Sequence, residues 1–218
     1  MLKFKDDITA LDGKKHSLIP KKGIINATVT AKIFQEMAKT HIPTHFVELV
    51  EPDVMIVQKL KMIPVEVVCR NIAAGHFIKN FPMFKKGDKL KLPVIEFYLK
   101  NDALHDPMLS EDHIIALELA SRRDIEQIKR LTLRVNNFLK KFMSERGLVL
   151  VDFKLEFGKN SKNQVMLGDE LNIDSMRLWD KKTGEAIDKD VYRQGGAEED
   201  VAKTYIESYK RIVGKELK

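Results

Sequence analysis

In the stretch 148–180, LVLVDFKLEFGKNSKNQVMLGDELNIDSMRLWD, Asp152, Lys154 and Glu156 alternate with Phe153, Leu155 and Phe157. Successive side chains of a strand point to opposite faces, so the charged trio shares one face and the apolar trio the other. KNSKN reads as a turn and QVMLG as the returning strand of a hairpin, which brings Asp169 and Glu170 back beside the first set. Carboxylates about 5 Å apart repel by about 3 kcal/mol at an effective dielectric near 20. A solvated strand would dilute such charges, so Asp152, Glu156 and Asp169 around one lysine imply a hard cation. Magnesium fits, because it takes one or two carboxylates together with phosphate oxygens and water. Three arginines add to the set: Arg70 at the end of VEVVCR, Arg177 in SMRLW and Arg193 in KDVYR. A guanidinium can grip phosphate or carboxylate with two parallel hydrogen bonds. The chemistry implied is magnesium-dependent and acts on phosphorylated compounds.

The elements that must position these groups follow from periodicity and punctuation. The opening, LKFKDDITALDGKKHSLIPKKG, reads as a strand-like piece running into a polar loop that holds Asp12. Residues 28–39 form an amphipathic helix, and HFVELVEPDVMIVQKL is a hairpin about Glu51-Pro52-Asp53. Pro64 marks a crossing between two lobes, which sets a division into residues 1–63 and 64–218. RNIAAGHF takes a strand end into small residues and a glycine, suited to a tight turn or to close approach of a phosphate. VIEFYLK is a strand, followed by the polar loop NDALHDPM with Asp102 and Asp106. Ser110 and Ser121 cap helices, the second reaching about residue 146 with Ile125, Ile128, Thr132, Val135, Leu139 and Phe142 on its buried stripe. The closing helix, 198–213, buries Val201, Tyr205, Tyr209 and Ile212. The fold class is α+β.

Length and composition bound the rest. A chain of 218 residues is long enough for one domain of two lobes or for two small domains. Its one cysteine, Cys69, lies in an apolar run, so an internal disulfide is excluded and a core thiol is expected. MLKFKDD has no apolar signal core and no run approaches a bilayer span, so a cytoplasmic protein without a membrane partner is expected. The net charge of +6 is a small excess of 38 basic over 32 acidic residues, without a nucleic-acid-binding motif. His41 and His45 have helical ligand spacing, but Pro43 between them breaks the helix a zinc pair would need. No GxxxxGK[ST], GxGxxG, CxxC or HExxH motif occurs.

PVEVVCRNIAAG, EFYLKNDALHDPM, LVDFKLEFG, GDELNIDSMRLWD and KDVYR, in this order, closely resemble the SAICAR synthetase family, the phosphoribosylaminoimidazole-succinocarboxamide synthases. The resemblance runs from about residue 4 to the last helix. It implies a two-lobed fold, with a small antiparallel N-terminal sheet over a larger α+β part and nucleotide between them. It also implies an ATP-driven ligation of carboxyaminoimidazole ribonucleotide (CAIR) to L-aspartate through an acyl phosphate, with ATP and Mg2+ as cofactors. Glu156 and Asp169 would then hold magnesium–ATP, and Lys154 would lie against phosphate or the reacting carboxylate. Arg70, Arg177 and Arg193 would hold CAIR, with His76, Asp12, Asp102, Asp106 and Lys189 along the cleft. Gln58, Lys59, Lys61 and Met62 would flank adenine.

Two departures from the family pattern stand out. Members usually begin some two dozen residues earlier, with a hairpin whose GK-rich loop covers the ATP phosphates, so a start upstream of Met1 is expected. Histidine occupies position 76, where the family usually has a serine. A competing reading is a catalytically impaired, truncated relative that binds nucleotide or nucleic acid. Another keeps the ATP lobes and changes the acceptor, and the three arginines together speak against it. A homo-oligomer is compatible with an unpaired sheet edge.

Overall fold

The computed structural model describes residues 1–10 and 15–217. Three short strands, β1 (Leu2–Lys3), β2 (Asp7–Ala10) and β3 (Lys15–Leu18), precede helix α1 (Lys22–Ala38). The hairpin β4 (Phe46–Glu51) and β5 (Val54–Val57) leads into the long strand β6 (Lys61–Ile72). Helix α2 (His76–Asn80), strands β7 (Lys89–Leu99) and β8 (Met108–Leu109), and helices α3 (Glu111–Ala116) and α4 (Arg122–Ser144) come next. Strands β9 (Leu148–Lys159), β10 (Val165–Gly168) and β11 (Met176–Asp180) and helices α5 (Asp190–Arg193) and α6 (Glu198–Val213) complete the chain. The strands form a small antiparallel sheet, β1-β5-β4, the pair β2-β3, and a larger sheet, β10-β9-β6-β7-β8, in which β11 also pairs with β9. This is the α+β class expected.

The period-two reading of β9 decides the core. Phe153, Leu155 and Phe157 are each 1% exposed and join one apolar cluster with Ile125, Ile128, Val135 and Leu139 of α4. Ser121 and Asp124 cap α4 reciprocally, as a capping box. The opposite face of β9 is covered as well, since Asp152 and Glu156 are each 3% exposed. That face is a buried polar layer and not a solvated one.

Three local expectations give way. Asp7–Ala10 and Lys15–Leu18 pair as a β2–β3 ladder where a loop was expected. Helix α1 begins at Lys22, ahead of the expected residue 28. Its first turn is held by a cap distant in sequence, as Asp6 accepts from the N–H groups of Lys21 at 3.1 Å and Gly23 at 2.8 Å. A local scan for a capping residue cannot see such a contact. Finally, β6 runs straight through Pro64, and its ladder to β9 is interrupted between Met62 and Glu66. Proline has no N–H for a ladder, so the interruption accommodates it within a continuous strand.

Candidate functional site

The site forms where β9 changes partners. Along one edge, β9 pairs first with β11 from Leu148 to Phe153 and then with β10 from Glu156 to Lys159. Between these partners the chain leaves the sheet over 169–175 and carries Asp169, Glu170 and Asp174 beside Lys154. The Lys154 N–H donates to the Ser175 carbonyl at 2.8 Å, which fixes this loop on the strand. Asp169 itself adopts φ +55°, a left-handed conformation that Asp tolerates better than most residues. Its carbonyl pairs with His45 Nε2 at 2.8 Å, and His45 is 4% exposed.

On the other edge β6 supplies groups in register: Glu66 lies opposite Glu156, Val68 opposite Lys154 and Arg70 opposite Asp152. Strand β7 continues the layer, with Tyr98 opposite Glu66 and Glu96 opposite Val68. Two ionic chains result. In the first, Arg70 donates to Glu96 at 2.7 Å and to Asp152 at 2.9 Å, and Arg177 donates to Asp152 at 2.9 Å and to Asp190 at 2.9 Å. Arg193 then donates to Asp190 at 2.6 Å. In the second, Lys154 donates to Glu66 at 2.7 Å and to Glu156 at 3.1 Å, and Lys100 donates to Glu156 at 2.5 Å. The expected single cluster of Asp152, Glu156 and Asp169 is therefore divided. Asp152 is neutralised by two arginines, while Glu156 and Asp169 stay together near Lys154.

Burial opposes charge throughout, and neighbours decide the outcome. Burial disfavours the Lys154 ammonium, but Glu66 and Glu156 outweigh it and hold its pKa above the ordinary lysine value. Burial raises Glu156, but Lys154 and Lys100 bring it below the usual carboxylate range. At Asp169 the charge of Lys154 compensates only in part: burial and the charges of Glu156 and Glu170 push it up to about 7, and it hydrogen-bonds to Glu156. This pair is a fit for a divalent cation, which would replace the shared proton. Two carboxylates leave the other positions to phosphate oxygens and water, the donor set magnesium prefers. Among the described residues no group of three or more metal-capable side chains occurs. The pair therefore suits a cation that arrives with phosphate.

Two cavities flank Lys154. One, of about 430 Å³, lies against β1 and β2 and includes Lys3, Lys5, Lys22, Asp169 and Glu170 in its wall. The other, of about 370 Å³, takes in Arg70, His76, Asp106, Arg177 and Arg193. Lys154, Asp174, Ser175 and Lys189 line both. Asp174 is anchored by Lys22 at 2.7 Å, by Asn26 at 3.0 Å and by the Tyr205 hydroxyl. Gly75, at φ +56°, lies so close to Arg177 that a Cβ there would be 2.6 Å from Nη2.

The remaining expected residues lie further out. Glu156 sits beneath the cavities, and exposed Asp102 opens a short 3-10 turn outside both. Gln58 and Lys59 are exposed between β5 and β6, with Lys61 and Met62 at the start of β6. The Met62 thioether packs where Gly158 and Gly168 have no side chain. Asp12 lies outside the described residues. Sequence reasoning missed Glu66, Glu96, Tyr98, Lys100 and Asp190. A period-two signal was present for four of them, in VEVV and EFYLK, but it was read as scaffold.

A buried lysine–carboxylate centre between two polar cavities, one rich in arginine, makes a site for anionic, phosphorylated substrates. A family model described as SAICAR synthetase matches residues 1–212. The phosphoribosylaminoimidazole-succinocarboxamide synthase of Methanothermobacter thermautotrophicus is 46% identical over 204 residues, covering 94% of this chain and 81% of that protein. A solved SAICAR synthetase (Type-2) in complex with ADP superposes with TM-score 0.94 at 40% identity, covering 99% of this chain and 91% of that one. SAICAR synthetase from Pyrococcus horikoshii OT3 gives TM-score 0.93 at 40% identity, covering 99% and 93%. The chain belongs to the SAICAR synthetase family. It is an ATP-dependent, amide-forming ligase of purine biosynthesis. Among the described residues no helix is long and apolar enough to cross a membrane.

Proposed function

We propose that this chain joins the carboxylate of CAIR to the amino group of L-aspartate through an acyl phosphate. The observation that carries this reading is the position of Lys154, which lines both cavities from the middle of a carboxylate pair. In this reading ATP lies along the N-terminal strands, residues 1–63, with Gln58, Lys59, Lys61 and Met62 beside adenine. CAIR lies against the larger part, residues 64–218, gripped by Arg70, Arg177 and Arg193, with His76 and Asp106 on the cavity wall. Glu156 and Asp169 would hold Mg2+, which neutralises phosphate charge when bound. Lys189 completes the cleft, and Asp102, outside both cavities, takes no part in this reading.

A carboxylate is a poor electrophile. Its oxygen attacks the γ-phosphorus of ATP, the bond to the β-phosphate oxygen breaks, and ADP leaves. The aspartate amine, having lost a proton, then attacks the acyl carbon, and inorganic phosphate departs with the bonding pair of the C–O bond. Lys154 keeps its proton throughout, because Glu66 and Glu156 hold its charge. It therefore positions and neutralises developing phosphate charge and does not shuttle protons. Arg70 and Arg177 are pre-oriented by Asp152, so little side-chain entropy is lost when substrate arrives.

The direct test is ADP release by the purified chain with magnesium, ATP and CAIR, with and without L-aspartate. Aspartate-dependent release is expected, and release indifferent to L-aspartate would overturn the reading. Gly75→Ala tests the arginine grip from outside the ionic chain. The added methyl strains a positive φ and displaces Arg177. The KM for CAIR should rise by on the order of 10-fold or more while the KM for ATP stays nearly constant. An unchanged CAIR KM would remove Arg177 from the substrate site.

A further inference from the structure

Asp188 lines neither cavity, yet it is fully buried, and both of its carboxylate oxygens are taken by backbone N–H groups. Oδ2 accepts from Leu178 at 2.7 Å and Oδ1 from Asp190 at 2.6 Å. The second bond alone is an ordinary turn, in which an aspartate caps the N–H two residues on. The first is not local. Leu178 follows Arg177 on β11, at the point where the β11–β9 ladder shifts register. Ile187 gives its own N–H to the Leu178 carbonyl at 2.9 Å, so the Asp188 carboxylate accepts where the carbonyl of a partner strand would.

A ring closes through this carboxylate. Arg177 donates to the Asp190 side chain at 2.9 Å, and the Asp190 N–H leads through Asp188 back to the N–H of Leu178, beside Arg177. Arg193 donates to the same Asp190 at 2.6 Å. Two guanidiniums on the wall of the arginine-rich cavity are thus set by one anion that lies off that wall. Two converging N–H groups need two acceptors, and an amide side chain has one, its other end being a donor. Burial and the charge of Asp190 push the Asp188 carboxyl up to about 7, against the two N–H bonds and the field of Arg193. A turn alone would be served by a neutral side chain, so a charge buried here calls for a further use.

We propose that Asp188 is a positioning residue for substrate binding: its carboxylate holds Arg177 and Arg193 at the spacing that grips the anionic groups of one substrate. This role rests on the reading of the arginine-rich cavity as the CAIR site. The groups that act on Asp188 are Asp190 and Arg193 of α5 and the Tyr205 hydroxyl of α6, and Arg177 of β11 stands one residue from the bonded Leu178. Burial holds the Tyr205 proton well above neutrality. Burial opposes the Asp190 charge, but Arg177 and Arg193 bring its pKa below the usual carboxylate value. Asp188 is therefore the member of this set that changes charge near neutral pH. Once protonated it has one acceptor left, as an amide would, and one of its two N–H bonds is lost.

Asp188→Asn tests this, read as the ratio of its KM for CAIR to that of the unaltered protein. At about pH 8 the ratio should be on the order of 10, because one N–H loses its acceptor and the grip loosens. At about pH 6 it should fall to within about twofold of unity, since the carboxyl of the unaltered protein is then protonated as well. Taking the ratio cancels the ionisation of the substrate and of Asp169. KM values for ATP and L-aspartate should hold at both pH values. KM does not depend on how much of a preparation is folded, and Asp188→Ser, smaller and neutral, serves in its place should the amide fail to fold. A ratio near unity at about pH 8, or one that does not change with pH, overturns the role. Arg177→Ala separates the two readings. An unmoved CAIR KM in that variant removes the cavity reading on which the role rests, whereas a raised one beside a normal Asp188→Asn removes only Asp188.

Discussion

Asp169→Asn is expected to abolish turnover and at the same time stabilise the folded protein above neutral pH. The ordinary carboxylate value is 3.8, and the folded state raises Asp169 to about 7 through burial and the charges of Glu156 and Glu170. A carboxyl whose pKa rises on folding holds its proton more tightly in the native state. Its favourable contribution is therefore present at low pH and is lost as pH rises through the folded value. Asparagine accepts the positive φ at this position and can donate to Glu156 without charge. The variant should gain on the order of 1–3 kcal/mol at pH 8, and the difference should vanish below about pH 4. Its kcat should fall by a factor on the order of 10³ if, as proposed, Asp169 is one of two carboxylates that hold magnesium. Denaturant melts at pH 4 and pH 8 read the first effect and ADP release the second. Equal stability at both pH values would remove the strained-carboxylate account, and normal turnover would remove the metal assignment.

Arg177→Ala should be the most damaging change in the cavity proposed to hold CAIR. Arg177 bridges Asp152 and Asp190 and lines the arginine-rich cavity. Burial disfavours its charge, but Asp152 and Asp190 hold it protonated. Charge-assisted hydrogen bonds to a phosphate or carboxylate contribute about 1.5–3 kcal/mol each, so the KM for CAIR should rise on the order of 10²-fold. The folded state should lose about 2 kcal/mol, which is less than for an isolated buried pair. The reason is that Asp152 keeps Arg70 and Asp190 keeps Arg193. Isothermal titration with CAIR and a denaturant melt separate the two effects. Intact CAIR affinity in a destabilised variant would make Arg177 a structural residue only.

The sequence by itself determined those features that repeat with the period of a single element. The alternation DFKLEF specified a strand with one apolar face, and Phe153, Leu155 and Phe157 are buried as it required. Ser110 and Ser121 marked their helix starts because a capping box lies within four residues. The motifs that resemble the SAICAR synthetase family were also legible, and the family match spans residues 1–212. Tertiary structure decided whatever depends on partners far apart in the chain. Asp6 capping α1, Pro64 inside β6, and the division of the carboxylates into two ionic chains belong to that class. In VEVV and EFYLK the alternation was visible, but nothing local says that Glu66 lies opposite Glu156 and Tyr98 opposite Glu66. Which charges neutralise one another, and which remain open to substrate, is a matter of strand register. Register is fixed only when the apolar faces of several strands pack on α4 together.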